Sequence, residues 1–140
     1  METQTNQYDS EKAARPGEML IKLMQVLGKK SFLVFSQNKY FTVPVEKIAF
    51  FRLQPESSVI CCFDHKEYPI NYSLEQIQSL LSGKQFFRLN GQYLLNFQAV
   101  KEVEPFYGRK LIVNLVVPVN DALLVPTEKV NDFLTWLDNR

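Results

Sequence analysis

The chain has 140 residues, of which 16 are lysine or arginine and 15 are aspartate or glutamate, so its net charge at pH 7 is +1. Hydrophobic residues make up 46% and charged residues 22% of the sequence, which is ordinary for a globular domain and excludes a wholly disordered or collagen-like chain. No apolar stretch approaches the roughly 18 residues of a membrane span, and the polar N-terminus lacks the core of a secretory signal. We therefore expect a cytoplasmic protein with no membrane partner.

The first 30 residues differ from the rest in their pattern of polar and apolar residues. Residues 1–17 are polar and contain the breaker Pro16-Gly17, which predicts a flexible leader. Residues 18–27 predict a short linker helix, because their apolar residues recur at helical spacing and Gly28 follows as a stop. We divide the chain into this leader with its helix, residues 1–30, and one domain, residues 31–140.

From residue 31 onward the pattern is that of short strands. Runs rich in Val, Ile, Phe and Tyr are separated by polar or proline breaks, and most connections are too short for parallel crossovers. The sequence thus predicts a mainly β fold of antiparallel sheets. The predicted strands cover residues 31–35, 40–43, 48–53, 59–63, 68–72, 86–89, 93–96, 103–107, 111–117 and 122–125.

Two helices are predicted within this domain. Ser73 and Gln76 fit a capping box at the start of a helix that we expect to end at Gly83. A C-terminal helix is predicted over roughly residues 127–138, with Trp136 beside its buried stripe and only partly packed. The four residues of that stripe are Val130, Phe133, Leu134 and Leu137.

Signals of enzymatic or metal chemistry are scarce. The single histidine, His65, lies in a predicted turn with no nucleophile fixed against it, and no catalytic motif or glycine-rich phosphate loop occurs. Cys61 and Cys62 are adjacent on a predicted strand, where they point to opposite faces and read as buried, reduced thiols. We expect no enzyme, no cofactor and no metal.

Two segments, residues 84–93 and 101–110, interleave cations with aromatic residues. Such a pattern suits phosphate contacts and base stacking, although alternation along a half-exposed strand produces it as well. Within the first segment, the stretch FFRLNGQYLLN at residues 86–96 resembles the LytTR family of bacterial DNA-binding output domains. The residues that match its motif are Phe87, Arg88, Tyr93, Leu94, Leu95 and Asn96.

The resemblance extends over about residues 31–138. Residues 43–51 look like the strand entry of the family, residues 72–77 like its helix start, and residues 124–130 stand where it carries Val-Ser-Arg. The ending FLTWL at residues 133–137 is similar to that of Bacteroidetes-like members. The resemblance implies an elongated fold of short antiparallel sheets with one inserted helix and a C-terminal helix.

It also implies a transcription regulator that contacts double-stranded DNA through loops, as a homodimer on direct repeats, downstream of a receiver domain or sensor kinase in a two-component system. Three loops reach DNA in the family: one after the third strand, the His-Arg-Ser loop and the Val-Ser-Arg turn. The DNA-binding candidates at these positions are Ser58, Arg88, Asn90, Gln92, Thr127 and Lys129.

The contact loops are also where this sequence departs from the family. Asn90, Gly91 and Gln92 stand at the His-Arg-Ser positions, and Val125-Pro126-Thr127 stands at the Val-Ser-Arg positions. Each bidentate base contact is worth roughly 1–3 kcal/mol of discrimination, so the loss of two cationic readers matters. The alternative hypothesis is therefore a degenerate LytTR-like module that mediates protein interaction or dimerisation and has lost sequence-specific DNA reading.

Overall fold

A computed structural model of the chain describes residues 16–19 and 28–140. The predicted linker helix at 18–27 lies largely outside these described residues. In chain order the domain contains β1 (Ser31–Ser36), β2 (Lys39–Pro44), β3 (Ile48–Leu53), β4 (Ser58–Cys62), β5 (Glu67–Ile70), α1 (Leu74–Leu80), β6 (Phe86–Arg88), β7 (Tyr93–Asn96), β8 (Val100–Phe106), β9 (Lys110–Leu115), β10 (Leu123–Val125) and α2 (Val130–Asp138). In this described part of the chain, no helix has the length and apolar character of a membrane span.

The strands form three sheets in which every pairing is antiparallel. A five-stranded sheet has the order β5-β4-β3-β7-β6, a three-stranded sheet has the order β10-β9-β8, and β1 pairs with β2 in a hairpin. The short connections leave no room for parallel crossovers, which is why neighbours in sequence are mostly neighbours in the sheets. The prediction of a mainly β, antiparallel fold with a few short helices is confirmed.

The five-stranded sheet is covered on both faces. Cys61 packs into a core with residues of the three-stranded sheet and α2, whereas Cys62 packs into a second core with residues of the β1–β2 hairpin and α1. The two thiols are free and buried, as the alternation along a strand requires. Burial raises the pKa of Cys61 to about 12 and that of Cys62 to about 11, so both remain protonated near neutral pH.

Helix α1 begins as the sequence predicts and ends earlier. The Ser73 hydroxyl accepts from the Gln76 N–H at 3.1 Å, and the Gln76 side chain accepts from the Ser73 N–H at 2.8 Å. The prediction that Gly83 ends the helix is wrong, because Leu81 is already extended. The Leu80 carbonyl, which the end of the helix leaves without an intrahelical partner, accepts from the Lys29 N–H at 2.7 Å.

Helix α2 buries a different side chain from the one predicted. Leu134 is 44% exposed, whereas Trp136 is buried beside Phe133. The Trp136 indole N–H donates to the Gly83 carbonyl at 2.8 Å, and its ring lies 5.2 Å from that of Phe87. A large ring with a satisfied N–H is a stronger anchor than leucine. The helix is therefore oriented with Trp136, and not Leu134, toward the core.

Candidate nucleic-acid interface

Four turns lie together at one end of the protein, and we call them the loop edge. They are residues 54–57 between β3 and β4, residues 89–92 between β6 and β7, residues 107–109 between β8 and β9, and residues 126–129 between β10 and α2. The antiparallel register brings the first two turns side by side, since the Leu53 N–H donates to the Gln92 carbonyl at 2.9 Å. Long-range hydrogen bonds of side chains join the others to them.

Asn90 uses its side-chain amide to shape its own loop. Its Oδ1 accepts from the backbone N–H of Gln92 at 2.8 Å and from that of Tyr93 at 3.1 Å. Its Nδ2 donates to the carbonyl of Leu124 in β10 at 3.1 Å. The amide therefore fixes the turn and joins the five-stranded sheet to the three-stranded sheet, a role that sequence alone did not indicate.

Arg88 closes over the same loop. Its Nε donates to the Asn90 carbonyl at 2.8 Å, and one terminal nitrogen donates to the Gly91 carbonyl at 3.1 Å. That nitrogen also lies 3.5 Å from Glu75 Oε2, and only 16% of the Arg88 side chain is exposed. The pKa of Glu75 is lowered by a hydrogen bond from the backbone N–H of Glu75 itself and by the charge of Arg88. The guanidinium thus holds carbonyls of the 89–92 turn in place.

Lys129 and Thr127 connect the last turn to the rest of the loop edge. The Lys129 ammonium donates to the Arg88 carbonyl at 3.0 Å, so it bridges the start of α2 and the end of β6. The Thr127 hydroxyl donates to the Gly108 carbonyl at 2.6 Å and holds the β8–β9 turn. Both side chains stabilise the junction between turns.

Ser58 and Gln92 are the predicted site residues that differ most in exposure to solvent. Ser58 has no exposed surface, and its hydroxyl donates to the Tyr72 carbonyl at 2.8 Å, so it does not reach the surface of the loop edge. Gln92 is exposed, and its side chain forms no hydrogen bond with any residue that the structure describes. Of the six residues predicted, five lie in or beside turns of the loop edge, whereas Ser58 is buried at the start of β4.

The turn between β8 and β9 completes the loop edge. The predicted strands 103–107 and 111–117 already imply a hairpin turn at Gly108-Arg109, but the sequence does not show that this turn contacts Thr127, 19 residues further along the chain. Tyr107 is 84% exposed, and Arg109 and Lys110 are exposed beside it. The interleaved cations and rings of segment 101–110 were the sequence feature that indicated a binding role for it.

The site has the chemistry of a binding surface. Within residues 16–19 and 28–140, no three His, Cys, Asp or Glu side chains are grouped so that they could hold a metal ion. What the loop edge presents is amides, hydroxyls, an exposed ring and cations, which are the groups that contact DNA phosphates and base edges. The fold and this edge therefore define a β-rich domain that presents polar turns to a ligand.

Comparison with known proteins identifies the family. The family model described as the LytTr DNA-binding domain matches residues 38–138. A solved structure from Bacillus cereus, described as the LytTr DNA-binding domain of a methyl-accepting/DNA response regulator, has the same fold with a TM-score of 0.68 at 16% identity, covering 79% of this chain and 98% of that one. No curated protein matches this chain.

The chain belongs to the LytTR DNA-binding domain family. It is thus a DNA-binding domain with a role in transcription regulation, and DNA is its partner. The resemblance inferred from residues 86–96 is confirmed, together with the fold that it implies.

Proposed function

We propose that this chain reads double-stranded DNA with its loop edge. The observation that carries the proposal is the hydrogen-bond network Leu53–Gln92, Asn90–Leu124, Lys129–Arg88 and Thr127–Gly108, which holds four turns on one side of the protein. A pre-ordered row of turns can present side chains to DNA grooves with a smaller loss of conformational entropy on binding than mobile loops would have.

Within this surface the predicted residues divide into two roles. Arg88, Asn90 and Lys129 hold the turns through backbone carbonyls and amides, so they act on DNA binding through the geometry of the edge. Gln92 offers a free amide that can pair bidentately with adenine, and it is the residue that we propose as a base reader. Thr127 keeps its hydroxyl oxygen as an acceptor while it donates to Gly108.

We further propose the cellular setting that the family resemblance implies. The domain acts in the cytoplasm as the output unit of a two-component response regulator, coupled to a receiver domain or sensor kinase. It binds direct repeats as a homodimer, and it works by binding and not by catalysis. Light scattering of the protein with and without a repeat-containing duplex checks the stoichiometry: two chains per duplex is the expected result, and one chain would contradict the dimer.

Selection from a random duplex pool tests DNA reading directly. The purified protein is incubated at near-physiological salt, because at low salt phosphate contacts alone would retain any sequence. We expect enrichment of a repeated motif, and Gln92→Ala should lose the preference at one position of each repeat. A pool that stays flat would contradict sequence-specific reading.

A second candidate function rests on the β1–β2 hairpin. The register pairs Phe35 with Tyr40 and Leu33 with Thr42, which places these side chains on the outer face of the hairpin. Leu33, Phe35 and Tyr40 are each more than half exposed. Clustered exposed apolar side chains favour a protein-interaction or dimerisation module, the function that would remain if DNA reading has been lost.

The two candidates make different predictions for one double variant. Leu33→Ser with Tyr40→Ser should leave DNA selection unchanged if the loop edge is the functional surface, because the hairpin lies outside that network. If the hairpin is instead a dimer face, the same variant should shift the mass in light scattering from dimer to monomer.

A further inference from the structure

The loop edge contains cations that no internal contact uses. Arg88 and Lys129, the two cations at family contact positions, donate to backbone carbonyls and so have hydrogen bonds committed to the fold. Arg109 and Lys110, in contrast, are exposed and form no ion pair or hydrogen bond of their side chains with any residue in the described ranges. Uncommitted guanidinium and ammonium groups are available to an external anion.

The turn that carries these cations is fixed next to the third DNA-contact turn. Strand β9 pairs with β10 so that Leu111 faces Val125, and β10 runs directly into residues 126–129. The hydrogen bond from Thr127 to the Gly108 carbonyl then closes the gap between the two turns. The β8–β9 turn is therefore the one turn of the loop edge that lies outside the three family loops.

The backbone of this turn has a conformation that is costly for one of its residues. Gly108 and Arg109 both have left-handed backbone angles, with φ of 66° and 61°. A residue other than glycine, asparagine or aspartate in this region costs roughly 1 kcal/mol or more, and such residues cluster at functional sites. The neighbouring Tyr107 is 84% exposed.

From these observations we propose that Tyr107, Arg109 and Lys110 form a fourth DNA contact, which binds the phosphodiester backbone next to the bases read by the loop edge. The proposal rests on the proposed DNA reading by the loop edge and adds a ligand class for a turn outside the three family loops. Arginine forks onto phosphate oxygens, lysine supplies a point charge, and tyrosine donates a hydroxyl hydrogen bond. Such contacts supply affinity without sequence information.

The test compares matched charge losses in the full chain. Arg109→Ala with Lys110→Ala removes the two cations of the turn, and Lys39→Ala with Lys66→Ala removes two exposed cations from other hairpin turns. Binding to a fluorescein-labelled duplex of random sequence, and to the duplex enriched by selection, is measured by anisotropy across a range of salt. Each lost phosphate contact should lower the slope of log affinity against log salt by about 0.9.

We expect the Arg109 and Lys110 variant to lose about 10-fold or more in affinity for both duplexes, with a slope lower by about two and an unchanged selected motif. The Lys39 and Lys66 variant should keep the wild-type slope. Equal slopes for the two variants would overturn the fourth contact while leaving DNA reading intact. Failure of the wild-type chain to bind either duplex would overturn both proposals.

A second variant guards against a folding defect. Asparagine tolerates left-handed backbone angles better than alanine does, so Arg109→Asn with Lys110→Gln keeps the turn and removes the charges. The same loss of slope is expected from this variant, with circular dichroism matching the wild type. Wild-type slope in a folded Arg109→Asn, Lys110→Gln protein would overturn the proposal.

Discussion

Asn90 and Asn96 lie at opposite ends of β7 and make nearly the same hydrogen bonds. In each, Oδ1 accepts from the backbone N–H two residues later, and Nδ2 donates to a carbonyl of another strand, Leu124 for Asn90 and Ile48 for Asn96. Asn96 is fully buried, whereas Asn90 is partly exposed.

The comparison bears on how this domain meets DNA. Asn96 is a family motif residue whose bonds show a structural role, and Asn90, which occupies a family contact position, has the same bonding pattern. An amide with both its donor and its acceptor committed has little left for a base edge. We therefore expect the side chains that contact DNA to be those that have no hydrogen-bond partner within the described part of the protein.

The largest effect is expected at the buried end of β7. Asn96→Ala leaves the Ile48 carbonyl, the Gln98 N–H and the Gln85 amide without their shared partner in a buried site, so we expect a loss of about 2–4 kcal/mol in unfolding free energy. Urea denaturation followed by circular dichroism measures it. Gln98→Ala is the control, since that side chain is exposed and only its backbone bonds Asn96. Equal urea midpoints for the two variants would show that the hydrogen bonds of the Asn96 side chain do not stabilise the fold.

Asn90→Ala should cost less, because water can reach the freed groups. We expect a loss of about 1–2 kcal/mol in unfolding free energy, and a weaker affinity for the selected duplex as the 89–92 turn loosens. The selected motif should stay the same. If the variant kept wild-type stability but enriched a different motif, Asn90 would be a base reader and the likeness to Asn96 would be superficial.

The sequence allowed the local parts of this pattern to be predicted. The capping box of Ser73 and Gln76 involves residues three apart, and the opposite faces of Cys61 and Cys62 follow from strand geometry alone. Three of the four turns of the loop edge could be located because they fall at family motif positions. The hydrogen bonds that join these turns could not be predicted, because Asn90 bonds a carbonyl 34 residues away and Lys129 bonds one 41 residues away.

The same limit explains the two errors in the helices. Gly83 was expected to end α1 because glycine often follows a helix, but α1 ends at Leu80, whose carbonyl accepts from the distant Lys29 N–H. Leu134 was placed in the buried stripe of α2 by spacing, yet Trp136 takes the core position because its indole finds the Gly83 carbonyl. In both cases the observed hydrogen bond joins residues far apart in the chain, which a local pattern cannot reveal.

The smallest effect on stability, and the sharpest on function, is expected at Gln92. Because its side chain is exposed and bonds no described residue, Gln92→Ala should change the unfolding free energy by no more than about 0.5 kcal/mol. If Gln92 pairs with adenine, the variant should bind the selected duplex about 10- to 100-fold more weakly and random duplex equally well. Asn90→Ala, two residues away, should instead lower the unfolding free energy and keep the selected motif. An unchanged ratio of selected to random binding in Gln92→Ala would mean that Gln92 does not read a base.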